Sequence, residues 1–245
     1  KKNIHVIPKF FPSKSISFKP DLIFHVDVLE HVSNPVDSLI KQKEFLSENG
    51  IIIINVPDCS ETIKAGDISI AQHQHLNNFD INSLANVIEA AGLNVFNIEK
   101  AGFGGSLYGV ASKKPVNNSK FIKPSIKNGK NFFVRAKKSY RNFENVILPL
   151  LNEKKSVGFY VPLRVLPYLS VTNTYDGFRL FDDIDHWHNG YIDGLNIPIE
   201  NFDDLINNPV ENLFIMSFTF GDKLKEKVLN QISNINVRTI KEVIL

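Results

Sequence analysis

Four consecutive isoleucines, Ile51–Ile54, restrict the fold of this chain more than any other feature of its sequence. They open an apolar run that extends to Val56 and follows Glu48-Asn49-Gly50, a sequence typical of the end of a helix. A run without polar alternation fits a strand buried on both faces, and such strands occur in parallel sheets that helices cover. The run therefore predicts an α/β fold with a mostly parallel sheet.

The segments on either side of this run alternate between strand-like and helix-like patterns. Strands are predicted at Asn3–Ile7, Asp21–Val28, Leu93–Ile98 and Ser106–Ala111, and helices at Pro35–Leu46 and Asp80–Ala91. Asp80 suits an N-cap and Gly92 a helix stop. Strands that alternate with helices of this length indicate βα units, and we predict a first domain at residues 1–112.

A basic stretch at residues 113–155 separates this domain from a second α/β domain, predicted at 156–245. The stretch contains twelve Lys and Arg but only two Glu. Apolar residues at helical spacing predict a long connecting helix from Asn131 to Leu151. A strip that binds phosphate or nucleic acid is the alternative, but a solvated helix face fits the packing intervals of the aromatic residues better. Further along, strands are predicted at Val157–Val161, Gly177–Asp182 and Leu213–Phe218, with a helix at Leu224–Ile232, which together indicate a small Rossmann-like domain.

Composition narrows the classes of function. Lys and Arg number 28 against 26 Asp and Glu, so we expect no nucleic-acid partner. The one cysteine, Cys59, excludes an internal disulfide and a multi-thiolate zinc site within this chain, and we expect no metal. No apolar run approaches the roughly 20 residues that span a bilayer, so we expect no membrane partner and a cytoplasmic location.

Polar residues follow the strand predicted at Asp21–Val28. Asp27, Glu30 and His31 stand at its end, before Ser33-Asn34-Pro35 and a predicted helix. In an open α/β sheet, ligands bind beyond the carboxyl ends of the strands. These three side chains are therefore predicted to line the mouth of a binding site, and a capped strand end without a ligand is the alternative.

The same stretch also carries a family resemblance. Together with Leu46-Ser-Glu-Asn-Gly50, Ile51–Pro57 and the helix end Ala90-Ala-Gly-Leu93, it resembles the second half of the class I S-adenosylmethionine-dependent methyltransferases. In that family the fourth strand runs into a Leu-Glu-His-Val stretch that lines the methyl-donor pocket, here Leu29–Val32. The resemblance implies a Rossmann-like methyltransferase core, S-adenosyl-L-methionine as cofactor, and donor contacts from the three polar residues at the strand end.

A second block of residues sharpens this resemblance. His73-Gln74-His75-Leu76-Asn77-Asn78-Phe79 and Gly104-Gly105-Ser106-Leu107 resemble the deoxysugar C-methyltransferases, whose blocks read Tyr-His-Glu-His-Leu-Ser-Tyr-Phe and His-Gly-Gly-Ser-Leu-Arg. The connecting helix and the Ile197-Pro198-Ile199 segment fit that subfamily's C-terminal Rossmann-like domain. The resemblance therefore covers nearly the whole chain.

The subfamily implies carbon methylation beside the ketone of a nucleotide-linked deoxysugar, which makes a nucleotide-sugar the expected partner. A carbon acid next to a carbonyl loses a proton when a base is poised near neutral pH, and the unperturbed pKa of histidine, about 6.5, lies there. The resemblance assigns the base to His75, with His73 and Asn77 beside it to orient the base or the sugar. It implies close approach of the backbone to the substrate at Gly104, Gly105 and Ser106.

The donor's glycine-rich turn and the acidic residue that binds its ribose would precede this chain's first matching strand, and neither is present. The chain also begins with Lys1-Lys2 and no initiator methionine. We therefore expect a fragment of a longer protein that does not bind S-adenosyl-L-methionine tightly. Two alternative functions stay open: a non-catalytic sugar-nucleotide-binding or scaffold protein on the same fold, and an O-methyltransferase. Whether the protein forms a homo-oligomer stays open as well.

One other segment has the composition of a metal site. His186 and His188 flank Trp187, and Asp182, Asp183 and Asp185 lie just before them. Alternate residues face the same side only in a regular strand. A polar loop around one aromatic anchor is therefore the favoured interpretation of this segment.

Overall fold

The computed structural model describes residues 4–71, 74–102, 104–115 and 131–245. These residues form two compact units. Unit 1 comprises the described parts of Lys1–Ser60 and Gln74–Ile126, and unit 2 those of Glu61–His73 and Lys127–Leu245. The sequence did not indicate that residues 61–71 join the later part of the chain. The domain boundaries predicted at residues 112 and 155 stay a prediction.

The strands and helices alternate along both units. In chain order they are β1 (Leu22–Val26), α1 (Pro35–Phe45), β2 (Ile51–Pro57), α2 (Ser60–Ala65), α3 (Ile81–Ala90), β3 (Asn94–Lys100), β4 (Ser106–Ser112), α4 (Phe132–Asn152), β5 (Val157–Tyr160), α5 (Leu166–Thr172), β6 (Arg179–Phe181), β7 (Ile199–Glu200), α6 (Phe202–Asn207), β8 (Asn212–Ile215), α7 (Gly221–Leu229), β9 (Asn236–Thr239) and α8 (Ile240–Ile244). This pattern confirms the predicted α/β fold class.

Unit 1 contains a four-stranded sheet in the order β1-β2-β4-β3. The isoleucine run forms β2, where Ile52 and Ile54 are fully buried while Ile51 is 37% exposed. Strand β1 is parallel to β2, but β4 is antiparallel to both β2 and β3. In this sheet β1, β2 and β3 therefore run in one direction and β4 is reversed, so the sheet is mostly parallel with one antiparallel strand.

The strand predicted at Asn3–Ile7 is wrong for the residues that the structure describes. Residues 4–7 are in no strand, and Lys9 N donates to Ile7 O in a tight turn (2.8 Å) instead. An alternating segment becomes a strand only where a neighbouring strand accepts its backbone hydrogen bonds. Among the described residues this segment has no such neighbour, and Pro8 follows it directly.

Helix α3 confirms the prediction made for Asp80–Ala91. Asp80 Oδ1 accepts from Ser83 N (2.7 Å) and Ser83 Oγ accepts from Asp80 N (2.9 Å), which completes a capping box. The helix buries Leu84 and Ile88 in the core that covers one face of the unit 1 sheet. Gly92 ends it with a φ of 70°, a backbone conformation that glycine adopts without strain.

Unit 2 contains a fully parallel five-stranded sheet in the order β7-β6-β5-β8-β9. Strand β5 is central, β6 and β7 follow on one side of it, and β8 and β9 lie on its other side. This reversal between β5 and β8 is the switch point at which doubly wound sheets open a crevice. The topology agrees with the Rossmann-like lobe predicted for the end of the chain.

Helix α4 packs on the core of unit 2 and confirms the helix predicted from Asn131 to Leu151, while its role as a connection between domains stays a prediction. It buries Ala136, Ser139, Phe143 and Ile147, whereas Phe133 is 81% exposed. Apolar side chains at this spacing define one core-facing stripe. Within the described part of the chain, none of the helices has the length and apolar character needed to cross a membrane.

Candidate functional site

The candidate site of unit 1 lies at the carboxyl end of β1. Asp27 follows this strand with a φ of 51°, and its N–H donates to the carbonyl of Asn55 in β2 (3.2 Å). A single 3-10 turn, Leu29–His31, comes next, and Leu29 is fully buried beneath it. The strand end and the buried leucine therefore fix the turn on which Glu30 and His31 stand.

The segment that carries His75 is tied to this turn by Asn77. The backbone N–H of Asn77 donates to the carbonyl of Glu30 (3.0 Å), and its Nδ2 donates to the carbonyl of Val32 (2.7 Å). Two residues later, Phe79 is buried and accepts from the backbone N–H of Cys59 (2.8 Å). These contacts give Asn77 a structural role, and its contact with a substrate stays a prediction.

As a result, Glu30, His31 and His75 form one cluster. Their ligand atoms all lie within 4.8 Å of one another. The rings of His31 and His75 meet edge to face with centroids 5.0 Å apart, and His31 Nε2 lies 3.7 Å from Glu30 Oε1. The structure thus brings together three residues that the sequence singled out in two separate motifs.

The carboxyl group of Glu30 is the most unusual member of the cluster. Glu30 is 1% exposed, and among the described residues neither of its carboxylate oxygens has a hydrogen-bond partner. Burial raises the pKa of this carboxyl group; the charge of His31 opposes this shift and the charge of Asp27 adds to it. A buried carboxylate without partners is costly, so this position gains from a neighbouring positive charge.

The hydrogen bonding of His31 defines its tautomer. Its Nδ1 lies 2.7 Å from the carbonyl oxygen of Gln74, which can only accept. Nδ1 therefore carries a proton, and in the neutral ring Nε2 presents its lone pair towards Glu30. The arrangement suits two kinds of chemistry: a histidine can accept a proton beside a carboxylate, or the three groups can share a cation.

The glycines predicted to approach the substrate lie at the same edge of the sheet. Gly104 and Gly105 have φ values of 82° and 74° and form the turn before β4. Ser106 begins β4 opposite Pro57, and the carbonyl of Gly105 accepts from Asp58 N (2.9 Å) at the end of β2. Because β1 and β2 are parallel, this turn and the Glu30 cluster share one edge. The other predicted histidine, His73, lies outside the described residues.

The Asp182–His188 segment forms a loop around Trp187 whose polar groups bond to their neighbours. Lys227 Nζ lies 2.7 and 2.8 Å from the two carboxylate oxygens of Asp183, and His188 Nε2 lies 3.0 Å from the carbonyl of Asp182. Among the described residues, the only group of three metal-ligand side chains found together is the cluster in unit 1. The polar-loop interpretation therefore fits this segment.

Unit 2 has a cavity of about 930 Å³ that the sequence did not predict. Residues after the carboxyl ends of β5, β6 and β8 line it, including Arg164, Trp187 and Lys223. Val161, directly after β5, has a φ of 66°, a conformation that β-branched residues rarely adopt. Glycine is the residue that usually adopts such a conformation, and because valine stands here, no glycine motif marks this cavity in the sequence.

Comparisons with known proteins show a similarity for part of the chain. Residues 5–98 match the family model described as a methyltransferase domain. No curated protein matches the chain. Among solved structures, the crystal structure of TnmH is 14% identical, with a TM-score of 0.34, over 41% of this chain and 32% of that chain. The matched region thus spans about a third of TnmH.

The family-model match includes the whole cluster of Glu30, His31 and His75. It supports the prediction of a methyltransferase enzyme at the level of the domain class, and such domains use S-adenosyl-L-methionine in general. The nucleotide-sugar partner, the absence of a nucleic-acid partner, a homo-oligomeric state and a cytoplasmic location stay predictions.

Proposed function

We propose that this chain takes part in the transfer of a methyl group from S-adenosyl-L-methionine to a carbon beside the ketone of a nucleotide-linked deoxysugar. The observation that carries the proposal is the cluster of His75, His31 and the buried Glu30 at the carboxyl end of β1, inside the segment that matches a methyltransferase domain. The choice of carbon, ketone and sugar rests on the resemblance of the histidine and glycine blocks.

In this proposal His75 removes the proton from the acceptor carbon. The C–H bond breaks, the proton moves to the imidazole, and the electron pair stays on the acceptor as an enolate. The carboxyl group of Glu30, within 4.8 Å of the imidazole, stabilises the imidazolium ion that forms. The Gly104-Gly105 turn lets the backbone lie close to the sugar, because neither residue has a side chain.

The donor supplies an electrophilic methyl group when it is bound. Asp27, Glu30 and His31 fit one wall of a donor pocket, since they stand at the carboxyl end of a strand in an α/β sheet. No glycine precedes Gly50 in the sequence, so the glycine-rich turn that holds the donor's carboxypropyl group is not among the residues before β1. We therefore expect weak donor binding by this chain.

A methyl-transfer assay tests the proposal. The chain is incubated with methyl-¹³C-labelled donor at high concentration and with nucleotide-linked keto-deoxysugars, and NMR of the product distinguishes a methyl group on carbon from one on oxygen. We expect carbon methylation that falls at least 100-fold in His75→Ala, in line with the usual contribution of a general base. His5→Ala, at an exposed histidine, is the matched control.

Two results would contradict the proposal. Turnover that is unchanged in His75→Ala, with the fold intact by circular dichroism, would remove the base assignment. A methyl group found on oxygen would replace the carbon acceptor with a hydroxyl acceptor and make the chain an O-methyltransferase.

A non-catalytic sugar-nucleotide-binding function is the second candidate, and the cavity of unit 2 favours it. This cavity lies at the carboxyl ends of parallel strands near the switch point, where ligands bind in such sheets. Arg164 and Lys223 supply positive charge for a diphosphate, and Trp187 supplies an aromatic surface. Binding of a nucleotide-sugar that is lost in Arg164→Ala but unchanged in His75→Ala, without any methyl transfer, would support this function instead.

A further inference from the structure

We propose that Glu30, His31 and His75 bind a divalent transition-metal cation of the Zn²⁺ class. No metal is expected from the sequence alone, in which the two histidine-containing motifs are 44 residues apart and Cys59 is the one thiol. The structure brings one carboxylate and two imidazoles to within 4.8 Å of each other. Two histidines with one carboxylate form a donor set that Zn²⁺ uses in sites with an open fourth position.

The first argument is the distance between the candidate ligands. A tetrahedral site with bonds of about 2.0–2.1 Å places its ligand atoms roughly 3.3 Å apart. His31 Nε2 and Glu30 Oε1 are already 3.7 Å apart, and the widest separation in the cluster is no more than 4.8 Å. Shortening the separations between ligand atoms by at most about 1.5 Å therefore brings all three ligands onto one cation.

The second argument is the charge of Glu30. Its carboxylate is 1% exposed and has no hydrogen-bond partner among the described residues, so no hydrogen bond offsets the cost of its burial. His31 Nδ1 donates to the carbonyl of Gln74, and in the neutral ring Nε2 turns a lone pair towards this carboxylate. Two electron-rich atoms that face each other at 3.7 Å repel, and a cation between them converts the repulsion into two bonds.

The third argument is the support around the candidate ligands. Metal-binding histidines usually donate their second ring N–H to a carbonyl or carboxylate, which fixes the ring and raises its basicity. The hydrogen bond from His31 to Gln74 O, at 2.7 Å, has this form. Asn77 holds the backbone of the Glu30 turn at the same time, so one short segment orients both the turn and His75.

Cation binding has a consequence for the proposed function, and this step alone depends on that proposal. A His75 nitrogen that coordinates a cation has no lone pair left to accept a proton from the acceptor. We therefore expect the bound cation to inhibit carbon methylation. Cation binding itself requires neither the methyl donor nor the sugar, so it can be measured without them.

The experiment is a metal titration of the chain after dialysis against EDTA. Calorimetry with ZnCl₂ gives affinity and stoichiometry, and CoCl₂ gives the visible d–d absorption of a low-coordinate site. We expect one Zn²⁺ per chain, an intense Co²⁺ spectrum, and no competition by Mg²⁺, which prefers oxygen ligands. Glu30→Gln, His31→Ala and His75→Ala should each weaken Zn²⁺ binding at least tenfold.

Matched variants keep the result unambiguous. His186→Ala and Glu61→Gln change an exposed histidine and an exposed glutamate, and both should bind Zn²⁺ like the wild type. Far-UV circular dichroism of each variant shows that the fold is intact. Wild-type affinity in folded Glu30→Gln and His75→Ala, or the absence of stoichiometric Zn²⁺ and Co²⁺ binding, would overturn the proposal. Binding that His186→Ala abolishes would move the cation to the loop of unit 2 and overturn it equally.

Discussion

The two units each contain a buried carboxylate, Glu30 in unit 1 and Asp67 in unit 2, and the surroundings of these two groups are opposite. In unit 2, Asp67 is fully buried and accepts hydrogen bonds from the hydroxyl of Tyr168 (2.8 Å) and the hydroxyl of Ser69 (2.7 Å). In unit 1, the ring nitrogens of His25 and the carboxylate oxygens of Glu30 are buried, and none has a hydrogen-bond partner among the described residues. Polar groups that are fully paired stabilise a fold, whereas unpaired ones indicate a position where a proton, ion or ligand is expected.

Two of the residues in unit 1 with unpaired buried atoms belong to β1 or its carboxyl end. His25 lies in this strand, and Glu30 follows its carboxyl end. The same strand forms an edge of its sheet and exposes Leu22 (53%) and Phe24 (58%). Edge strands with apolar side chains are uncommon in stable monomers because they present unpaired backbone groups. The comparison therefore predicts that stability resides chiefly in the packing of unit 2, while unit 1 is the part sensitive to pH and ligands.

The largest expected effect is the loss of an aromatic ring from the core of unit 2. Phe143 in α4 is fully buried and packs on Phe159 and Tyr168, with ring centroids 6.1 and 4.6 Å away. We expect Phe143→Ala to lower the free energy of unfolding by about 3–5 kcal/mol, because the cavity does not refill. Urea unfolding followed by fluorescence measures it, since Trp187 is the one tryptophan and packs against this core.

The matched control lies on the same helix. Phe133 is 81% exposed, and Phe133→Ala should change the free energy of unfolding by less than about 0.5 kcal/mol. An equal decrease in the free energy of unfolding in the two variants would show that the fluorescence transition does not report the core of unit 2. The predicted difference in stability between the units would then be unsupported.

The next effect is a dependence of unit 1 on pH. Burial lowers the pKa of His25 to about 4, and the residues that line the cavity of about 480 Å³ beside it are uncharged. Between the unfolded pKa of about 6.5 and this folded value, the unfolded chain binds the extra proton, so stability falls as the pH falls. We expect a loss of up to about 3 kcal/mol between pH 7 and pH 4 from this residue.

Urea unfolding by far-UV circular dichroism at several pH values measures the effect, and Trp187 fluorescence reports unit 2 in the same samples. His25→Leu should reduce the pH dependence, whereas His5→Ala, at an exposed histidine, should leave it unchanged. The predicted difference between the units would be wrong if the free energy of unfolding of His25→Leu depended on pH as it does in the wild type. It would also be wrong if the urea midpoint seen by fluorescence shifted with pH as much as the midpoint seen by circular dichroism.

The difference between the units also explains what the sequence could predict. Apolar periodicity found α3, α4 and the strands β2, β5 and β8, because burial of an apolar face is a local pattern. It missed β7, which has two residues, and the antiparallel direction of β4, since strand direction depends on long-range pairing. The order and spacing of the motifs predicted Glu30, His31 and His75 as separate site residues. Their common cluster depends on the hydrogen bonds of Asn77, which no spacing along the chain encodes.

The smallest expected effect tests the comparison most directly, because it predicts opposite signs for two isosteric substitutions. In the metal-free chain at pH 7, Glu30→Gln should raise the free energy of unfolding by about 1 kcal/mol, since it removes a buried charge that has no partner. Asp67→Asn should lower it by about 1–3 kcal/mol, because the amide cannot accept all the hydrogen bonds that the carboxylate accepts from Tyr168 and Ser69.

Both variants are measured by urea unfolding with circular dichroism in EDTA, and Glu61→Gln, at an exposed glutamate, gives the baseline for losing one negative charge. A lower free energy of unfolding in Glu30→Gln would mean that the Glu30 carboxylate is already stabilised by a positive charge in the metal-free protein. That charge would have to be a proton on His31 or His75, because these are the neighbours of the carboxylate in the cluster. The result would then favour a cluster that holds a proton on an imidazole, as in the proposed proton transfer, over a cluster that lacks its cation. The sign of this small effect therefore distinguishes proton transfer from cation binding as the role of the cluster.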